Sequence, residues 1–264
     1  MKMIFRYLVW VAALGWMFMS FSAEVPKAST VETVMFQSGP AQPALLELFS
    51  SEGCSSCPPA DEWLSGLKKS QGLWAEIVPV CFHVDYWDPL GWKDNLGSKD
   101  YTQRQRNYAK YWRLKSVYTP NFVVNGREWK DGFPNFGMLP ASSSNSAGSL
   151  KIKAIGRGNF EVSFTVPHSA AGQWRAQTAI LGFGIPSDVT AGENAGRKMN
   201  HDFAVLAFQE KELEKINGIF QTSFHLEKKE PVPAARYAVA VWVVQDNDFI
   251  PVQAAGGYLP AGYE

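Results

Sequence analysis

Between Ser51 and Asp61 the chain reads Ser-Glu-Gly-Cys-Ser-Ser-Cys-Pro-Pro-Ala-Asp, which sets two thiols, Cys54 and Cys57, within a helical turn of each other. Thiols so spaced can clamp a metal, staple the backbone or run redox chemistry. Zinc would need a second pair, or a Cys/His pair at matching spacing. Cys81 is the remaining cysteine, and His83, His168, His201 and His225 form no paired motif. A staple across two residues closes too small a loop to constrain much of the unfolded chain. Redox chemistry has a physical basis if a helix starts at the pair. Its free amides and dipole would stabilise a thiolate on Cys54 and lower that thiol's pKa. Cys57, a turn further in and shielded by Pro58 and Pro59, would stay protonated, resolve the mixed disulfide and close a Cys54–Cys57 disulfide. This leading reading makes Cys54 the accessible thiol and uses no metal and no cofactor. Two others stay open: a thiol protein handling Cu(I), a soft ion suited to sulfur, and a non-catalytic binding protein whose pair stays oxidised.

The neighbouring elements must hold that turn. Pro43–Phe49 is an apolar run of strand length ending in the Ser/Gly turn Ser50–Gly53. From Cys57 to Lys69, Ala60, Trp63, Leu64 and Leu67 recur at helical spacing, so a helix begins at the cysteines. Pro58 and Pro59 suit its first turn, where amides have no intrahelical partner to lose. Ile77–Tyr86 is a second apolar strand, giving a βαβ unit and a parallel, buried sheet. A helix is predicted from Ser98 to about Leu114. Tyr101, Tyr108 and Trp112 fall near one face; Arg104, Arg106, Lys110 and Arg113 on the rest are expected to be solvated. Thr119-Pro120 leads into a strand at Asn121–Val124, and Asn125-Gly126 makes a tight hairpin turn. Ala141–Ser149 is polar and reads as a linker. Beyond it, short alternating runs, among them Trp174–Phe183, Phe203–Phe208, Ile219–Leu226 and Tyr237–Val244, predict an antiparallel β-sandwich.

The bulk composition fits that plan. The chain has 264 residues, 46% hydrophobic and 19% charged, enough for a real core in one or two domains. With 25 basic and 25 acidic residues its formal net charge is zero, so nothing favours nucleic acid or an anionic membrane surface. Lys2 and Arg6 precede an uncharged stretch, Tyr7–Phe21, and small residues follow at Ser22 and Ala23. That is the layout of a secretory signal over residues 1–23, with an uncleaved anchor as the alternative. Export to the periplasm or beyond would place the thiols in an oxidising compartment.

The first half resembles the thioredoxin fold: strand, Cys-x-x-Cys, helix, strand, then Thr119-Pro120-Asn-Phe-Val-Val-Asn-Gly126. The resemblance implies a cis Pro120 beside the cysteines and a substrate docked along Thr119 and Pro120. It also implies a buried acid on the first strand, filled here by Glu47, to move the proton off Cys57. A glutamate facing solvent at a sheet edge is the other reading of that position. The segment 86–117 is longer than in compact relatives and could cap the site. A closer resemblance, to a bacterial secreted family catalogued as domain of unknown function 1223, rests on the cysteine segment and on Phe82-His-Val-Asp-Tyr-Trp-Asp88. Gly91-Trp-Lys-Asp94, Tyr118-Thr-Pro, Val124-Asn-Gly-Arg127 and Gly192-Glu-Asn-Ala-Gly-Arg197 extend it. Cys81 is read as a small buried hydrophobe, with a regulatory third thiol as the alternative. His83 is read as a hydrogen-bonded core histidine, with a metal site shared with Asp85 and the cysteine pair as the alternative. Gly192–Arg197 is read as a turn whose Glu193 and Arg197 hold strands together, with a ligand loop as the other reading. The expected whole is an exported α/β thioredoxin-like domain (24–140), a linker (141–149) and a β-sandwich domain (150–264). Its expected activity is thiol–disulfide exchange with protein thiols or disulfides.

Overall fold

The computed structural model describes residues 33–130, 143–156, 158–166, 172–227, 232–246 and 248–261, so the expected signal segment lies outside the described residues. The first strands are β1 (Val34–Gln37), β2 (Ala41–Gln42), β3 (Ala44–Ser50), β4 (Ile77–His83), β5 (Asn121–Val124) and β6 (Arg127–Glu128). Helix α1 (Pro58–Gly66) joins β3 to β4, and α2 (Lys99–Tyr111) lies between β4 and β5. Then come β7 (Ser143–Ser146), β8 (Ser149–Gly156), β9 (Asn159–Thr165), β10 (Trp174–Phe183) and β11 (Ile185–Asp188). The last strands are β12 (Lys198–His201), β13 (Ala204–Ile216), β14 (Ile219–His225), β15 (Arg236–Gln245) and β16 (Pro251–Tyr258).

The local expectations near the cysteines hold. β3 and β4 run parallel with Ala44 beside Ile77 and Ser50 beside His83, and α1 crosses between them. β5 joins β3 on its other side, antiparallel, and Asn125 and Gly126 both take positive φ in the turn to β6. Ser98 caps α2 by accepting from the Asp100 amide.

The expected architecture does not hold. An α/β thioredoxin-like domain followed by a separate β-sandwich is replaced by one mixed sheet of 12 strands that runs through both halves of the chain. Strand β13 makes the join. Its start lies parallel to β4, Ala204 beside Cys81, and the Cys81 amide donates to the Phe203 carbonyl at 2.8 Å. From Ala204 to Leu213 it also pairs with β10, antiparallel, and its end pairs with β14. The physical reason is the free edge of β4: unpaired backbone groups on a buried strand need partners. The second half supplies them. Of the expected linker, Ser143–Ser146 pairs with β2 and Ser149 opens β8.

The core follows the same plan. Leu45, Phe49, Val80 and Phe82 pack in one apolar cluster with Leu181, Phe203, Val205, Ala240 and Trp242 from the later strands. A second cluster joins Ile152, Phe160, Val162 and Phe164 to Trp174, Ile180, Val239 and Val241. Alternation gives β3 two different faces. Phe49 meets Tyr108 of α2 (ring centroids 6.1 Å apart), whereas Leu48 pairs in register with Phe122, whose ring meets Trp63 of α1 at 5.4 Å. The cysteines therefore lie on the α1 face, and α2 covers the opposite one.

Candidate functional site

Cys57 occupies the N-cap position of α1 and Cys54 the turn before it, with the Cys57 amide donating to the Cys54 carbonyl at 3.2 Å. Neither is bridged in this structure. Their environments differ sharply. A hydrogen bond from Cys57 holds the Cys54 thiol down at about 6, with help from the Ser56 hydroxyl and amide, against the opposing effect of burial. Burial pushes Cys57 well above its ordinary value, reinforced by its bond to Cys54 and by the nearby Asp61 carboxylate. The asymmetry expected from the helix start is present, but the first cause is the partner thiol.

The sulfur of Cys54 faces the peptide that precedes Pro120. Thr119–Pro120 is cis. Cys54 Sγ lies 3.6 Å from the Thr119 carbonyl oxygen and 3.3 Å from Ser56 Oγ, which itself donates to that carbonyl at 3.5 Å. Trp87 Nε1 donates to Thr119 Oγ1 at 2.8 Å. Thr119 and Pro120 are thus brought to the cysteines. Gly53 has no side chain for a steric reason: a Cβ there would sit 2.8 Å from the Trp87 Cβ.

Behind the turn sits a buried charge cluster that the sequence did not reveal. Glu52 Oε1 lies 3.0 Å from His201 Nε2, and Glu52 Oε2 accepts from Trp92 Nε1 at 2.6 Å. Asp94 Oδ2 accepts from the Glu52 amide at 2.9 Å and lies 2.7 Å from His83 Nδ1. The two imidazoles meet edge to face at 4.9 Å. Burial alone would lower His83, but the Asp94 carboxylate outweighs it and lifts His83 well above its usual range. Asp61, on α1, faces the same cluster, and burial raises its carboxyl.

The Gly192–Arg197 segment is more than a strand-holding turn. It is the tip of a two-stranded arm formed by β11 and β12. Asn194 Nδ2 donates to both the Glu52 and the Cys54 carbonyls at 2.8 Å, and Glu193 Oε2 accepts from the Ser55 amide at 3.1 Å. Gly192, at φ +74°, lies against Trp92. With the arm in place Cys54 is 0% exposed. The expectation of an accessible Cys54 is corrected accordingly: in this closed arrangement only Ser55 and Ser56 of the turn are open to solvent. Asn194→Ala should remove both carbonyl bonds, lower stability by about 1–3 kcal/mol and speed alkylation of Cys54. A melting curve with timed iodoacetamide labelling reads both; slower labelling would contradict the arm's role.

Glu47 is not brought to the cysteines. Three residues from Ser50, it points to the α2 face. There Arg104 Nε donates to its Oε2 at 2.7 Å, and the Tyr108 hydroxyl donates to its Oε1. Nor is it a solvent-facing glutamate, being fully buried. Arg104, expected on a solvated face, is buried too, boxed by Phe82, Tyr108, Phe208 and Trp242 with ring centroids 5.1–5.3 Å from its Cζ. Cys81 is buried and pushed up to about 11 by burial, as suits a core thiol. Among the described residues no group of three His, Cys, Asp or Glu side chains is placed to hold a metal. No helix among them is long and apolar enough to cross a membrane.

Residues 45–244, well over half of the chain, match the family described as Protein of unknown function (DUF1223). The chain belongs to that family. No curated protein matches it. Among solved structures it is similar to protein AGR_C_4864 from Agrobacterium tumefaciens, at 26% identity and a TM-score of 0.49, over 82% of this chain and 93% of that one. It is also similar to HBP35 of Porphyromonas gingivalis, at 13% identity and a TM-score of 0.55, over 86% of this chain and 79% of that one. The latter is a likeness of fold alone.

Proposed function

We propose that this DUF1223 protein is a thiol–disulfide oxidoreductase that exchanges disulfides with protein thiols through Cys54 and Cys57. The observation that carries the reading is the placement of the pair at the start of α1 with Cys54 Sγ 3.6 Å from the Thr119 carbonyl oxygen. With it goes a split between the thiols, Cys54 held down at about 6 and Cys57 pushed well up. Cys54 is then largely thiolate at neutral pH, and the thiolate is the nucleophile. Where the arm that holds the turn gives way to the substrate, the thiolate attacks a substrate disulfide, forms a mixed disulfide and expels one substrate thiolate. Cys57 then loses its proton and attacks the Cys54 sulfur. The Cys54–Cys57 bond forms as the second substrate thiolate leaves. Thr119 and Pro120, 3.6 Å from the attacking sulfur at the Thr119 carbonyl, form the wall along which the substrate backbone docks. The exported compartment expected from the N-terminus would supply oxidised partners.

The test incubates the reduced protein with glutathione disulfide and maps its peptides by mass spectrometry. The expected product is an intramolecular Cys54–Cys57 disulfide, with Cys81 left as a thiol. Recovery of three unmodified thiols would overturn the proposal.

A further inference from the structure

Resting on the thiol–disulfide reading above, we propose that Asp61 is the proton acceptor that turns Cys57 into a nucleophile in the resolving step. Asp61 follows Cys57 by four residues in α1, and its amide donates to the Cys57 carbonyl at 3.1 Å. Helical side chains four apart lie over one another and lean toward the N-terminus, so the Asp61 carboxyl reaches back over the cysteine turn. Its Oδ1 is buried and meets no hydrogen-bond geometry among the described residues, though the Ser50 hydroxyl stands close enough to steady the carboxyl. Buried carboxylate oxygens are normally satisfied. One left open beside a buried thiol has a vacant place for a proton, received directly or through one water.

The surroundings fit an acceptor. The groups that face Asp61 are Cys57 at the start of its own helix, Ser50 of β3, Cys81 and His83 of β4, Asp94 of the following loop and His201 of β12. Burial raises the Asp61 carboxyl, while His201 and His83 pull it back down. Burial makes this carboxylate a stronger base than an exposed one, which favours it as a proton acceptor. Glu47 cannot serve, because Arg104 and Tyr108 occupy it on the other face of β3. In the step itself the Cys57 S–H proton passes to Asp61 and the Cys57 sulfur attacks Cys54 Sγ. The mixed disulfide breaks and the substrate sulfur leaves as a thiolate.

The experiment is stopped-flow reaction of the reduced protein with 4,4′-dithiodipyridine, a small neutral disulfide, across a pH series. Attack by Cys54 releases one thiopyridone and attack by Cys57 releases the second. Asp61→Asn should leave the first release within about twofold and slow the second by about 100-fold near neutral pH, the scale of general-base help. The slowed phase should then climb about tenfold per pH unit as hydroxide replaces the carboxylate. Asp61→Glu, which keeps the acid, should retain most of the second phase. Equal second phases in the wild type and the Asn variant would overturn the proposal. So would equal slowing in the Asn and Glu variants, which would mark Asp61 as a shaper of the helix start. Absence of any first release in the wild type would instead sink the thiol–disulfide reading, and this inference with it.

Melting curves serve as the fold control. An acid raised in the folded state lowers stability as pH rises from its unfolded to its folded pKa, and that loss persists above. Asp61→Asn should therefore melt at or above the wild-type temperature at pH 7 and level with it in acid.

Discussion

Cys54→Ser should abolish exchange, leaving reduction or oxidation of a test disulfide at the uncatalysed background. A serine hydroxyl cannot reach a comparable anion near pH 7, and Cys57, pushed well up by burial, does not replace it. Cys57→Ser should have the opposite phenotype. Attack through Cys54 survives, but nothing releases the partner, so mixed disulfides accumulate. Non-reducing gels of each variant mixed with a scrambled disulfide protein separate the two outcomes. Covalent adducts should appear with Cys57→Ser and vanish with the double variant. Adducts persisting without Cys54 would move the reaction to another thiol.

Arg104→Ala should be the most damaging change away from the cysteines. It strands Glu47, fully buried, with the Tyr108 hydroxyl as its remaining side-chain donor, and empties the box formed by Phe82, Phe208 and Trp242. Breaking a buried ion pair by removing one partner costs about 3–5 kcal/mol. At roughly 2–4 °C per kcal/mol for a domain of this size, that is a fall of roughly 10 °C in Tm. Replacing both partners with apolar residues, Glu47→Leu with Arg104→Met, should recover much of it, because two desolvated charges disappear together. Glu47→Gln should likewise lower stability while leaving the alkylation rate of Cys54 unchanged. Thermal melts and labelling kinetics check both. A Glu47→Gln protein that melts normally but fails to release mixed disulfides through Cys57 would restore Glu47 to the catalytic role expected from the strand motif.

What could be read in advance was what short-range chemistry dictates. Prolines after Cys57 marked the helix start, and Asn125-Gly126 marked a turn needing two positive φ angles. The run Trp174–Phe183 reappears as β10 with the same bounds. What was hidden is long-range. The polar stretch near Ala141 suggested a boundary, but the partner of the β4 edge lies more than a hundred residues on, at Phe203 and Ala204. Arg104 looked solvated because its charge was read without Glu47, 57 positions away, which pairs with it. The side of β3 that Glu47 faces was legible from its odd spacing to Ser50. Asp61 and Asn194 carried no signal of their own. Their importance lies in what they meet: a buried thiol turn and two backbone carbonyls.

The most direct test of the account is the pH dependence of alkylation in the reduced protein, each cysteine followed by peptide mapping. Cys54 is predicted to gain reactivity through pH 6 and to plateau by neutral pH, since its thiol is held down at about 6 by the bond from Cys57. Cys57 and Cys81 should stay slow until far higher pH, both raised by burial. A Cys54 profile that keeps climbing through the ordinary thiol range near 8.5, in step with Cys57, would contradict it.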